Sequence, residues 1–146
     1  MLLRVVLDTN VFVSSLLNKA GTPAGLMDAW RAGAYILVTS PPIMAEIKAV
    51  LELPRIRERY KLAEDDIRQL FDLLEKDAIL VPGRSHVGNV IPRDPTDHIF
   101  LSCALDAGAD FIVSGDRYLL SLKVFEGIPV EPVAKFLERL AEQKMP

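Results

Sequence analysis

Apolar residues follow two habits along the chain: short, nearly continuous runs, and longer stretches where they recur at helical spacing. Residues 2–7 form the first run and predict a buried strand ending in Val5-Val6-Leu7. Residues 11–17 and 24–31 read as helical, with a break at Gly21-Thr22-Pro23. Residues 35–39 are a short β-rich run. Ser40 then offers a hydroxyl cap and Pro41 a first-turn proline for a helix reaching about residue 53, where Pro54 interrupts it. Across 64–76, Ile67, Leu70, Phe71 and Leu74 share one helical stripe. Residues 78–81 predict a brief strand.

Asp94-Pro95 predicts the start of another helix, which carries Ile99, Phe100, Cys103, Ala104 and Ala107 and stops at Gly108. Residues 111–113 form a third buried strand, followed by Ser114-Gly115-Asp116. A last strand is expected at 128–130. Pro132 opens an amphipathic C-terminal helix, about 132–143, with Val133, Phe136, Leu137 and Leu140 on one face. Strands that are apolar throughout, separated by helices, predict an α/β fold with a parallel sheet covered on both faces. In such sheets ligands gather outside the carboxyl ends of the strands. No repeat, low-complexity tract or linker divides the chain, and 146 residues suit a single domain, 1–146.

Composition narrows the classes. Half of the residues are hydrophobic and a quarter charged, a globular, soluble balance. No apolar run approaches the ~20 residues of a membrane-spanning helix. The first six residues lead straight into a strand pattern, which predicts no signal peptide. Cys103 is the only cysteine, so no intrachain disulfide can form, and a reducing cytoplasm is the expected location. The net charge of −3 argues against a protein that coats nucleic acid. It argues less against a nuclease, whose carboxylates hold a metal that inverts the local charge.

Each acidic residue has a bland reading beside a chemical one. Asp8 ends the first strand, where a helix cap and a ligand position are equally good descriptions. Asp116 repeats that arrangement after the third strand, and alone a turn aspartate is the better reading. Two strand-ending aspartates at opposite ends of the chain, however, suggest carboxylates converging on one sheet edge. Asp94 before Pro95 reads best as a cap. Asp97 falls in the first turn of its helix, a rigid platform aimed at the sheet edge, and there a metal role is preferred. Glu46 borders the apolar face made by Ile43, Ile47 and Val50; by position alone it is an ordinary solvated glutamate. Mg²⁺ and Mn²⁺ take hard oxygen ligands of this kind. No GxxxxGK[ST] loop, HExxH motif or cysteine–histidine zinc set is present. His86 reads as a loop residue and His98 as a surface one.

Leu7-Asp8-Thr9-Asn10-Val11, Glu46, Asp94-Pro95-Thr96-Asp97-His98-Ile99-Phe100-Leu101 and Ser114-Gly115-Asp116 resemble, in order and spacing, the motifs of PIN-domain nucleases. Asp-Thr-Asn alone is weak; the four elements in sequence are a specific signal. Within that superfamily the chain is similar to VapC-type toxins of toxin–antitoxin systems. The resemblance implies a three-layer α/β/α sandwich and Mg²⁺- or Mn²⁺-dependent ribonuclease activity. It assigns Asp8, Glu46, Asp97 and Asp116 to the acidic tetrad that binds metal and catalyses. It assigns Asn10, Asp94 and Ser114 to supporting polar or additional acidic positions. Tyr118 and His98 stand where relatives often carry an acid.

The expected partners are RNA as substrate, an antitoxin protein and a second copy in a homodimer, with no membrane. Arg93 and Arg117 flank the acidic motifs and are the candidates for phosphate contact. The denser basic stretch, Arg55, Arg57, Arg59 and Lys61, reads chiefly as a solvated helix end balanced by Glu58. Trp30 is expected in the core, and Tyr60 and Tyr118 are open as base-stacking residues. Three rival readings differ in class or biology. One is a catalytically degenerate PIN-like domain that binds RNA or acts as a scaffold. Another is an RNA-processing nuclease that is not a toxin. The third is a phosphatase of the haloacid-dehalogenase type, disfavoured because Asn10 stands where that class needs a second aspartate.

Overall fold

A computed structural model describes residues 2–87 and 97–143. Strand β1 (Arg4–Leu7) starts at the centre of the sheet. Helices α1 (Thr9–Leu17) and α2 (Thr22–Arg31) lead to β2 (Ile36–Thr39), parallel to β1. Helices α3 (Pro41–Leu51), α4 (Pro54–Tyr60) and α5 (Glu64–Asp77) follow, then β3 (Ile79–Leu80), parallel to β2. The chain next crosses to the other side of β1 through α6 (His98–Ala107) and β4 (Phe111–Val113). After α7 (Arg117–Ser121) come β5 (Val124–Phe125), β6 (Ile128–Glu131) and α8 (Val133–Gln143). The strand order among the described residues is β3-β2-β1-β4-β6-β5. All neighbours run parallel except β5 against β6. This is the α/β fold with a covered parallel sheet that the pattern predicts and the three-layer architecture that the resemblance implies, with one antiparallel edge added.

Register sorts the side chains between the layers, because alternate strand residues face opposite ways. Val5 pairs with both Leu37 and Phe111, and Leu7 with Val113. These share the face against α8, where the fully buried Phe136 ring meets Tyr35 and Phe111 at centroid distances of 5.7 and 5.4 Å. Val6, Val38 and Ile112 point the other way, toward α6, which packs on β1, β2 and β4. Both faces are therefore covered, which is why the central strands carry apolar residues on both sides instead of alternating them with polar ones.

Several boundaries differ from the sequence reading. Helix α2 already includes Thr22 and Pro23, with Gly21 as its cap, because proline is tolerated in a first helical turn. Helix α3 ends at Leu51, and α4 is a separate short helix with no buried residue. Helix α7 and strand β5 were not expected. The strand at 78–81 narrows to two exposed edge residues. The helix start at Asp94-Pro95 and the residue Arg93 lie outside the described residues; within them α6 begins at His98. Among the described residues, no helix is long and apolar enough to cross a membrane.

Candidate active site

The chain enters the sheet at β1, turns to one side for β2 and β3, then to the other for β4 and β6. The order reverses between β1 and β4, and a crevice forms outside the carboxyl ends of strands at such a point. Asp8 follows β1 and Ser114 follows β4, both continuing the parity of the side that faces α6. Side chains leaving the two strand ends therefore meet. Ser114 Oγ donates to Asp8 Oδ2, and the Gly115 N–H approaches the same oxygen at 3.3 Å. Ser114 Oγ also accepts from the Asp116 N–H at 2.9 Å. One hydroxyl thus ties the two strand-ending aspartates together.

Asp8 is 2 % exposed, and its Oδ1 caps α1 by accepting from the Val11 N–H at 3.0 Å. Burial pushes the carboxyl above its ordinary value. The hydrogen bonds from Ser114, Val11 and Gly115 oppose that shift, and the negative charge of Asp116 adds to it. Asp116 Oδ1 in turn caps α7, accepting from the N–H groups of Tyr118 at 2.6 Å and Leu119 at 3.4 Å. The cap reading of Asp8 is correct, and Asp116, read from sequence as a turn residue, caps a helix as well. Capping is no obstacle to the other reading, since each side chain also lines a cavity.

That cavity, about 100 Å³, is bounded by Asp8, Thr9, Asn10, Glu46, Val50, Asp97, Phe100 and Asp116. All four members of the expected acidic tetrad are brought to it from four elements. Glu46 reaches it from α3, and Asp97, 5 % exposed, from the start of α6. Asp97 occupies the cap position of α6 in helical backbone geometry and makes no side-chain capping bond. Asn10 is exposed on α1 at the rim. Three lining groups, Thr9, Val50 and Phe100, were not singled out as site residues from sequence. Thr9 donates from Oγ1 to Glu46 Oε2 at 2.8 Å, and Phe100 supplies an apolar wall. Nothing marked Thr9 in the sequence beyond its place between Asp8 and Asn10.

The chemistry of this donor set fits a hard divalent cation: four carboxylate side chains around one small space, one of them raised in pKa by burial. Among the described residues, no three His, Cys, Asp or Glu side chains are grouped as a ready-made metal cluster. Asp94 lies outside the described residues. His98, expected on the surface, is half-buried, and its Nε2 is enclosed with no hydrogen-bond partner among them. The ring follows Asp97 at the start of α6, whose inner face is packed against the sheet, and that position draws it in. His86 is an exposed loop residue.

The cationic candidates separate cleanly. Arg117 is exposed beside Asp116; its guanidinium donates to the Tyr118 hydroxyl at 3.1 Å and lies 5.1 Å from that ring's centroid. Arg55, Arg57, Arg59 and Lys61 belong to α4 and its end, away from the cavity lining. Arg57 pairs with Glu64, and Arg59 lies over the exposed Tyr60 ring. Trp30 is in the core.

Residues 4–118 match the sequence model of the PIN domain. The chain is 30 % identical over 121 residues to the uncharacterized protein MJ1680 of Methanocaldococcus jannaschii, covering 83 % of this chain and 76 % of that protein. Its fold is similar to a chain in the crystal structure of VapBC2 from Rickettsia felis bound to a DNA fragment from their promoter. That match has a TM-score of 0.53 at 15 % identity, over 88 % of this chain and 98 % of the other.

Proposed function

The chain belongs to the PIN-domain family, and from that premise we propose that it is a divalent-metal-dependent ribonuclease, the toxin of a toxin–antitoxin pair. The observation that carries this reading is the gathering of Asp8, Glu46, Asp97 and Asp116 around one cavity at the point where the strand order reverses. The cofactor is Mg²⁺ or Mn²⁺, held by these four residues, in part through water as is usual for Mg²⁺. When bound, such a cation neutralises phosphate charge and lowers the pKa of an attacking water.

The chain's own groups do the rest. Asp8 is fixed by three donors, so its charge is oriented before substrate arrives. Ser114 holds Asp8 and Asp116 in a constant relation. Asp8 and Asp97 are buried, where water screens their charge least. Glu46 completes the anionic wall, and Asn10 supports it from the rim. Arg117, exposed next to Asp116, is positioned to contact a substrate phosphate, with Arg93 as a second candidate. Hydrolysis leaves a 5′-phosphate. RNA of the cytoplasm is the substrate and an antitoxin protein the partner; the fold likeness to VapBC2 agrees with that pairing.

Purified protein with single-stranded RNA and Mg²⁺ or Mn²⁺ should give 5′-phosphorylated fragments. Chelation should halt the reaction and added Mn²⁺ restore it. Cleavage that continues under full chelation would overturn the proposal. The toxin role has its own test: induced expression should arrest growth of a bacterial host, and harmless expression of active enzyme would refute that part alone.

A further inference from the structure

Glu46 stands apart from the other three acids. Asp8 and Asp116 emerge from strand ends and Asp97 from the helix start facing them, but Glu46 projects from α3 and has to be aimed across the gap. A glutamate on a helix has three side-chain torsions, and leaving it free costs rotamer entropy each time it must be placed. Thr9 removes that freedom. It is 4 % exposed, immediately follows Asp8, and its hydroxyl donates to Glu46 Oε2 at 2.8 Å across a separation of 37 residues. A threonine in the first turn of a helix usually bonds locally to the backbone; here it reaches another element.

We infer that Thr9 is a positioning residue, whose hydroxyl orients the Glu46 carboxylate toward a divalent cation. The inference rests on the metal-dependent nuclease reading and adds to it a residue that takes no ligand role itself. A hydroxyl donor on one carboxylate oxygen fixes the plane of the group. Partners that orient a metal-binding side chain are typically worth 10–100-fold in metal affinity. The bond also joins the first turn of α1 to α3, so Asp8 and Glu46 are held in one frame.

The test is titration of the metal-free full-length protein with Mn²⁺ by isothermal calorimetry, with circular dichroism as the check on folding. Thr9→Val keeps the shape and removes the donor; it should weaken Mn²⁺ binding about tenfold or more. Thr9→Ser, which keeps the donor, should stay close to wild type. In a Glu46→Gln background, Thr9→Val should add little, because its effect passes through Glu46. If Thr9→Val loses its fold, Thr9→Ser against Thr9→Ala carries the comparison. Wild-type Mn²⁺ affinity in the variants lacking the hydroxyl would overturn this inference while leaving the nuclease reading intact. No Mn²⁺ binding by the wild-type protein would overturn both.

Discussion

Asp8 does two jobs with one side chain, and the conflict between them can be measured. Its oxygens cap α1 and anchor the β4 end, yet its charge is buried beside that of Asp116. Folding favours the protonated carboxyl, since the folded pKa lies above the reference 3.8. The sign follows: without metal, the contribution of Asp8 to stability is largest below that reference and is lost as pH rises through the raised value. Asp8→Asn keeps a capping oxygen and carries no charge. It should therefore melt higher than wild type at pH 7 in the absence of metal, with the gap shrinking toward pH 4. Differential scanning calorimetry at the two pH values decides this, and a lower melting temperature for Asp8→Asn at pH 7 would count against it. Cys103 gives a second prediction at this scale. Burial pushes its thiol up to about 12, so the native protein should resist iodoacetamide at pH 8 and react once denatured. Legibility was uneven among these residues. Strand-ending aspartates could be found from hydrophobic pattern alone. Whether they capped or lined a site looked like a choice, because a sequence does not show that one carboxylate can do both. Glu46 was found through family motifs only, since its solvated-helix position carries no local signal. Thr9 was missed because its partner is 37 residues away.

The longer elements were legible because they are long enough for a period to show: α3, α5, α6 and α8 each bury a stripe of the expected residues. Helix α7 and strand β5, at five and two residues, are too short for periodicity to speak. A usable cue for β5 did exist, the two-residue turn Glu126-Gly127, whose φ values of 50° and 78° match the hairpin turn that glycine favours. Another cue concerns Gly83, with φ of 71°, where a Cβ would sit 2.9 Å from the Ser40 Cβ. Ser40 caps α3, and α3 carries Glu46. Gly83→Ala should therefore destabilise the fold by about 1–3 kcal/mol, read by urea unfolding; a neutral outcome would mean that the backbone there relaxes freely. The α8 layer depends on Phe136, wedged between Tyr35 and Phe111. Its replacement by alanine should cost about 3–5 kcal/mol in the same assay. Beside it, Arg139 grips the buried Glu131 through contacts of 2.7 and 2.9 Å from Nε and stacks over Phe111 at 5.1 Å, an ion pair the sequence did not suggest.

At the scale of the whole molecule, topology converts distant letters into one site. Starting the chain at the central strand and sending it first one way and then the other puts the ends of β1 and β4 side by side. Helices α3 and α6 then deliver the remaining acids to that crevice. A net charge of −3 is compatible with handling a polyanion because the acids are concentrated where a cation would offset them, while Arg117 stays exposed beside them. The most direct single measurement is the rate of RNA cleavage by Asp8→Asn relative to wild type at saturating Mn²⁺, with equal folded content confirmed. The expected result is a loss of at least ~100-fold. Cleavage by Asp8→Asn at the wild-type rate would contradict the assignment of this cavity as the catalytic centre.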